Sequence, residues 1–180
     1  MARDTCPSAE HFTRCHAEKN RIWASDITYL QTRKGWFYLA VVIDLASRRV
    51  IGWSMSPRID RALVIAAMRS AIKDRRPQAG TIFHSDRRSQ YASHEFRNVL
   101  RANGLQQSMS GKGECWDNAV VESFFGTLKS ELRDPIWESR EVARAAIFVY
   151  IVTWYNRKRR HPTLSYVSPE QYESTLPNAA

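Results

Sequence analysis

The apolar positions of this chain change their period several times, and each change marks an element. IWASDITYL, from Ile22 to Leu30, is rich in β-branched and aromatic residues and reads as a strand that contains Asp26. GWFYLAVVID (35–44) and RRVIGWSMS (48–56) are two more such runs, joined by LAS in the manner of a hairpin. DRALVIAAMRSAIKD, from Asp60, has helical apolar spacing behind an Asp N-cap and stops before Pro77. TIFHSD (81–86) is a short β-rich run ending at Asp86, and SHEFRNVLRANG (93–104) is a helix between a Ser93 cap and Gly104. LQQSMS (105–110) makes a fifth strand. From Asp117, Val120, Val121, Phe124, Phe125 and Leu128 recur at helical spacing, and a long amphipathic helix runs from Ser139 to about Asn156. This order, βββ-α-β-α-β-α-α, predicts an α/β domain with helices on the faces of a mixed sheet.

Glu122 is out of keeping with its helix. It falls between two apolar pairs, on or beside the buried stripe, where a carboxylate is costly unless a partner charge compensates it. In a mixed sheet the first and fourth strands can be parallel neighbours, with a helix packed across them. That arrangement would bring Asp26, Asp86 and Glu122 together. Three clustered carboxylates raise one another's pKa, and a divalent cation reverses the effect. Hard Mg²⁺ takes oxygen ligands, and two ions about 3.5–4 Å apart can hold the attacking and leaving oxygens of a phosphodiester. Between Asp86 and Glu122 lie 35 residues, a spacing that proves little in itself. On spacing alone, three unrelated surface or capping acids remain an alternative.

Composition sharpens the choice of partner. The 180 residues suit one domain, and 43% hydrophobic with 25% charged residues is ordinary for a globular chain. Lys and Arg number 27 against 18 acids, a net charge of +9, which favours a polyanion such as nucleic acid. Cys6, Cys15 and Cys115 form no paired spacing, and Cys6, His11, Cys15 and His16 match no standard zinc finger, so reduced thiols are expected. The longest apolar run, IFVYIVTWY (147–155), is nine residues, which argues against a membrane span. No signal-peptide pattern is evident, and a cytoplasmic protein is expected. Residues 1–19 read as a poorly ordered arm, 20–134 as a core, and 135–180 as a helix, basic cluster and tail packed on it.

WASDITYL, GWFYLAVVIDLASRRVIGW, HSDRRSQYAS, SMSGKGECWDNAVVESFFGTLKSEL and YNRKRRHPTLSYVSPEQY, spread from about Asn20 to Glu173, carry a family resemblance. Together and in this order they resemble insertion-sequence transposases of the frameshifted two-reading-frame type, within the retroviral-integrase-like superfamily. The resemblance implies an RNase H-like fold: a mixed five-stranded sheet flanked by helices, with a C-terminal helical extension. It implies a D-D-E triad of Asp26, Asp86 and Glu122 that ligates Mg²⁺, two ions in all, with Mn²⁺ as a substitute. DNA end cleavage and strand transfer follow, with double-stranded element ends and target DNA as partners, homo-oligomeric assembly on DNA and no membrane. Family members add a helix-turn-helix that reads transposon ends. None is evident in these residues, so binding governed by phosphate contacts is expected.

Other residues have two readings each. Lys129, seven positions beyond Glu122 on nearly the same helix face, is a DNA contact by resemblance or a solvated lysine. Asn118 is catalytic or a helix cap. His84, two before Asp86, steers a phosphate or fills a core hydrogen bond, the latter being favoured. Arg157, Lys158, Arg159 and Arg160 are a phosphate track or a solvated helix end. Trp23 and Trp36 are expected in the core, and Asp44 as a turn cap. Where the family word usually reads Asp-Arg-Gly, the chain has Asp86, Arg87 and Arg88. Arg88 in a loop suited to positive φ would strain it, or would add a phosphate contact. The competing functions are therefore a catalytically impaired DNA-binding remnant and a nuclease of the same fold that cuts without joining.

Overall fold

Strand β1 (Ile22–Thr32) is the spine of a five-stranded sheet in the order β3-β2-β1-β4-β5. This computed structural model describes residues 18–85, 90–109, 119–133 and 136–177. β2 (Gly35–Asp44) and β3 (Val50–Ser56) add antiparallel strands on one side of β1. β4 (Ile82–Ser85) and β5 (Gln106–Met109) add parallel ones on the other. The resulting sheet is mixed, as the apolar pattern predicts.

Alternation along β1 feeds two cores. Trp23 and Ile27 pack beneath α1 (Arg61–Arg75) and α2 (His94–Ala102) with Phe83, Tyr91 and Phe96. Ile22, Ala24 and Leu30 pack on the opposite face beneath α3 (Ala119–Glu131) and α4 (Arg140–Val149). The expected caps form: Asp60 accepts the Leu63 amide at 3.0 Å and Ser93 that of Phe96 at 3.3 Å. Asp44 is a turn cap, fully buried, accepting the amides of Ala46 and Ser47 at 3.0 Å each. Its burial pushes its carboxyl above the ordinary value, and the Ser47 and Asn20 amides counteract this. Among the described residues no helix is long and apolar enough to cross a membrane.

Two expectations need correction. Trp23 is wholly buried, but Trp36 is 49% exposed, because it lies near the hairpin tip, outside the core that α1 and α2 cover on its face among the described residues. The long C-terminal helix also departs from α geometry, continuing from α4 as a π-helical segment, Tyr150–Tyr155. Just past it, Asn156 accepts the Val50 amide at 3.0 Å and donates to the Val50 carbonyl at 2.9 Å, closing the edge of β3. The chain then makes a 3₁₀ turn (Pro162–Leu164) and the short helix α5 (Pro169–Glu173), opened by a Ser168–Gln171 capping box. Glu173 is buried between Arg75 at 2.5 Å and Arg49 at 2.6 Å, which ties α5 to α1 and the start of β3.

Helix α1 lies against the sheet at Gly52 of β3. A Cβ there would stand 2.5 Å from the Ala67 carbonyl oxygen and 2.6 Å from the Ala71 nitrogen, backbone atoms that no rotamer change can move. Gly52→Ala should therefore destabilise the protein by about 1–3 kcal/mol. For a chain of this size that is a fall in Tm of roughly 2–12 °C, read by thermal denaturation. An unchanged Tm would show that α1 can move away from the sheet at little cost.

Candidate active site

The candidate site forms where, among the described residues, β1 changes from two neighbours to one. Among the described residues its pairing with β4 runs to Ser25↔Ser85, and the outer edge is next engaged at Gln31, whose carbonyl accepts the Trp137 amide at 3.0 Å. Among the described residues no strand covers the edge from Asp26 to Leu30. Asp26 is the first residue of this open stretch. It shares a strand face with Ala24 and Leu30, the face on which α3 packs, and is 9% exposed. Its Oδ1 accepts the Ile27 amide at 2.7 Å, which orients the carboxylate. Asp86 follows Ser85 in the sequence but lies outside the described residues. So do Arg88, Asn118 and the N-terminal set Cys6, His11, Cys15 and His16.

Helix α3 buries Val120, Val121, Phe124, Phe125 and Leu128, while Glu122 is exposed. Glu122 therefore lies beside the apolar stripe rather than within it, and its carboxylate is hydrated. Lys129, two turns on and on the same flank, reaches the edge of β1, with its Nζ 4.3 Å from the centroid of the Tyr29 ring. His84 is 7% exposed and sits in register with Ala24 and Ser108. Among the described residues no three His, Cys, Asp or Glu side chains are grouped to hold a metal. The two described acids offer oxygen donors, the type a hard cation takes.

The four successive cations separate into two kinds. The Arg159 Nε is 2.7 Å from Glu131, and Arg157 is 3.4 Å from Glu170. Lys158 and Arg160 are exposed and make no ion pair among the described residues. Glu131 is a hub that the sequence reading missed: it also accepts hydrogen bonds from Tyr150 and from the Trp154 ring nitrogen, each at 2.9 Å. A hint was available, because an acid in the last turn of a helix opposes the macrodipole and needs a compensating partner. His161 is no fifth cation. Burial first, then Arg159 and Arg48, push its pKa down to about 4, so it is neutral at physiological pH.

Comparison with known proteins follows the same lines. A family model described as "Integrase core domain" matches residues 16–115, and a second of that description matches residues 103–169. The Transposase InsF for insertion sequence IS3A of Escherichia coli (strain K12) is 51% identical over 156 residues, 86% of this chain and 54% of that protein. The chain thus spans about half the length of that relative. A chain of the simian T-cell lymphotropic virus intasome, solved in complex with PP2A regulatory subunit B56 gamma, superposes with a TM-score of 0.70 at 18% identity. That likeness covers 91% of this chain and 59% of the viral one. The HTLV-2 integrase catalytic core domain in complex with magnesium (trimeric form) gives 0.62 at 20% identity, covering 87% and 97%. These structural likenesses show the RNase H-like fold, and the sequence match bears out the resemblance to insertion-sequence transposases.

The Glu131 hub has a pH signature. Burial alone would raise its carboxyl, but the Arg159 guanidinium, the Trp154 N–H and the Tyr150 hydroxyl together hold it below the ordinary 4.5. A carboxyl depressed in the folded state contributes stability above its unfolded pKa and loses it as pH falls through the folded value. Glu131→Gln should therefore lower Tm at pH 7, with the gap closing as the pH drops below 4.5. A gap that is constant down to pH 3 would mean that the ion pair with Arg159 contributes nothing.

Proposed function

The chain belongs to the integrase core domain family, and from that membership we propose that it is the part of a DNA transposase that cuts element ends and joins them to target DNA. In this reading residues 20–134 are the catalytic core, and residues 135–180 pack on it as a helix, basic cluster and tail. The observation that carries the reading is the open edge of β1, with Asp26 at its start and the Glu122–Lys129 flank of α3 alongside. Seven helical residues rise about 10.5 Å and three strand residues about 10 Å. Contact between Lys129 and Tyr29 is therefore compatible with Glu122 lying near Asp26, three residues before Tyr29.

Asp26, Asp86 and Glu122 would hold Mg²⁺, two ions in all, and Mn²⁺ would substitute. Bound there, the metal would supply Lewis-acid stabilisation of the charge that builds on the transferring phosphodiester. The protein's own part is to orient and to attract. The Ile27 amide fixes the Asp26 carboxylate, and Glu122 faces the side from which DNA approaches. Lys129 and the exposed Lys158 and Arg160 hold phosphates. Water attacks the phosphodiester at the element end and frees a 3′-OH, which then attacks the target strand and releases its 5′ side. No covalent enzyme intermediate is needed. The partners are double-stranded element ends and target DNA, bound by an assembly of several copies in the cytoplasm.

Asp26→Asn, Asp86→Asn and Glu122→Gln should each reduce Mg²⁺-dependent joining of a pre-cut element end to background, with circular dichroism and Tm retained. Retained joining in any of them would sink the triad. A second reading, of a remnant with impaired turnover, is favoured by Arg88 where the family word has glycine. It predicts that Arg88→Gly speeds single-turnover strand transfer at saturating Mg²⁺. A slower glycine variant would make Arg88 a working DNA contact.

Binding should be mainly electrostatic. Lys158→Ala with Arg160→Ala removes two exposed phosphate contacts and should flatten the log-log salt slope by about 1.8. If instead Arg159→Ala alone accounts for the slope, the division of this cluster into structural and DNA-facing cations is wrong.

A further inference from the structure

Tyr29 and Trp36 are among the exposed large hydrophobic residues of the described chain, at 57% and 49%. They are diagonal neighbours on the β1–β2 hairpin, where Tyr29 pairs with Tyr38 and Gln31 with Trp36. Their rings meet edge to face, 5.3 Å between centroids and 87° between planes. Ile27 and Ala40, farther down the same face, are buried in the core beneath α1 and α2, which does not include Tyr29 or Trp36. The pair therefore forms a right-angled aromatic corner with about half of each side chain in water. A purely structural role would bury such large apolar surface.

The surroundings of the corner indicate what fits it. Lys129 lies 4.3 Å over the Tyr29 ring, and Lys34 is exposed in the adjoining turn. Arg33, beside it, is neutralised by Glu138 at 3.0 Å, so the local excess of charge is positive but modest. Asp26 is three residues from Tyr29 on the same strand, about 10 Å along it, but its side chain leaves by the opposite face of the sheet, so the two are connected only round the outer edge of β1, which Lys129 reaches. An aromatic face beside a cation is the arrangement that takes an unpaired base together with its phosphate.

We propose that Tyr29 and Trp36 form a stacking platform for an unpaired nucleobase of single-stranded DNA beside the cut end, with Lys129 on the adjoining phosphate. The inference rests on the reading of this chain as a DNA-joining core and adds a subsite to it. Base stacking on an aromatic face tolerates any sequence. The platform thus selects strand state, frayed or tailed over blunt, rather than sequence. A frayed end held here is also kept from re-pairing.

Fluorescence anisotropy with the full chain in EDTA tests this without any metal. Three labelled duplexes are compared: blunt, with a three-nucleotide single-stranded tail, and with the same tail abasic. The parent should bind the tailed duplex about tenfold tighter than the abasic one. Tyr29→Ala with Trp36→Ala should abolish that preference while leaving Tm and blunt-end affinity unchanged, and Trp36→Phe should retain it. Lys129→Ala should instead weaken all three complexes. Equal binding of tailed and abasic duplexes, or a preference that survives the double substitution, would overturn the platform. So would a loss of oligomeric mass in the double variant with the preference intact, which would make the corner a contact between copies. Metal-dependent joining is scored separately, so it can stand when the platform fails. A chain that binds none of the three duplexes overturns both.

Discussion

The organisation of the molecule depends on β1 having, among the described residues, two hydrogen-bonded neighbours for its first four residues and one for most of the rest. Where both edges are engaged, the strand is enclosed and contributes Trp23 and Ala24 to two dry cores. Beyond the described part of β4, no described strand covers that edge, and polar side chains become tolerable on a strand that is otherwise buried. Asp26 stands at that boundary. The parallel pairing that ends there is short and needs a helix to return the chain, so the candidate site is placed by topology before any side chain is considered.

The larger elements could be read from the sequence because each has an apolar face of one period, bounded by strong caps. Asp60, Ser93 and Ser139 each accept an amide three residues on, as short polar residues ahead of an apolar-periodic run should. Features that depend on tertiary partners could not be read in the same way. Trp36 sits in a run that is buried almost throughout from Phe37 to Asp44, and nothing local says that helix cover begins only beyond it. The π segment has no composition of its own. It follows α4 in a run of aromatic and β-branched residues that suits an ordinary helix equally well. For the site, the sequence supplied the acids and the resemblance gave them roles. Exposure of Glu122 was a matter of which flank of α3 met the strand edge, which spacing alone leaves open.

Charge is more structured than its sum suggests. The net +9 invites a picture of a uniformly basic surface, yet several of its cations are internal fittings. Arg49 and Arg75 hold Glu173, Arg159 holds Glu131, and neutral His161 packs edge-on against Tyr155 at 5.0 Å between centroids. Burial and the Arg75 and Arg49 partners act in opposite directions on the Glu173 carboxyl, and the partners prevail, so it remains ionised. Such half-buried pairs contribute more to holding one arrangement than to overall stability, since desolvation offsets much of their attraction. What they hold is the C-terminal segment against the sheet.

The π segment is part of that attachment. α3 ends in a carboxylate that opposes its own dipole, and Tyr150 and Trp154 are the residues that reach it. They are four positions apart, a spacing that keeps both side chains on the same flank. The next contact is Asn156 on the β3 backbone, and Arg159 then returns to Glu131 from the far side of the turn. One short stretch of helix thereby joins the end of α3 to the edge of the sheet. Because α3 also carries Glu122 and Lys129, a link that fixes its far end also limits how its outer flank can slide along β1.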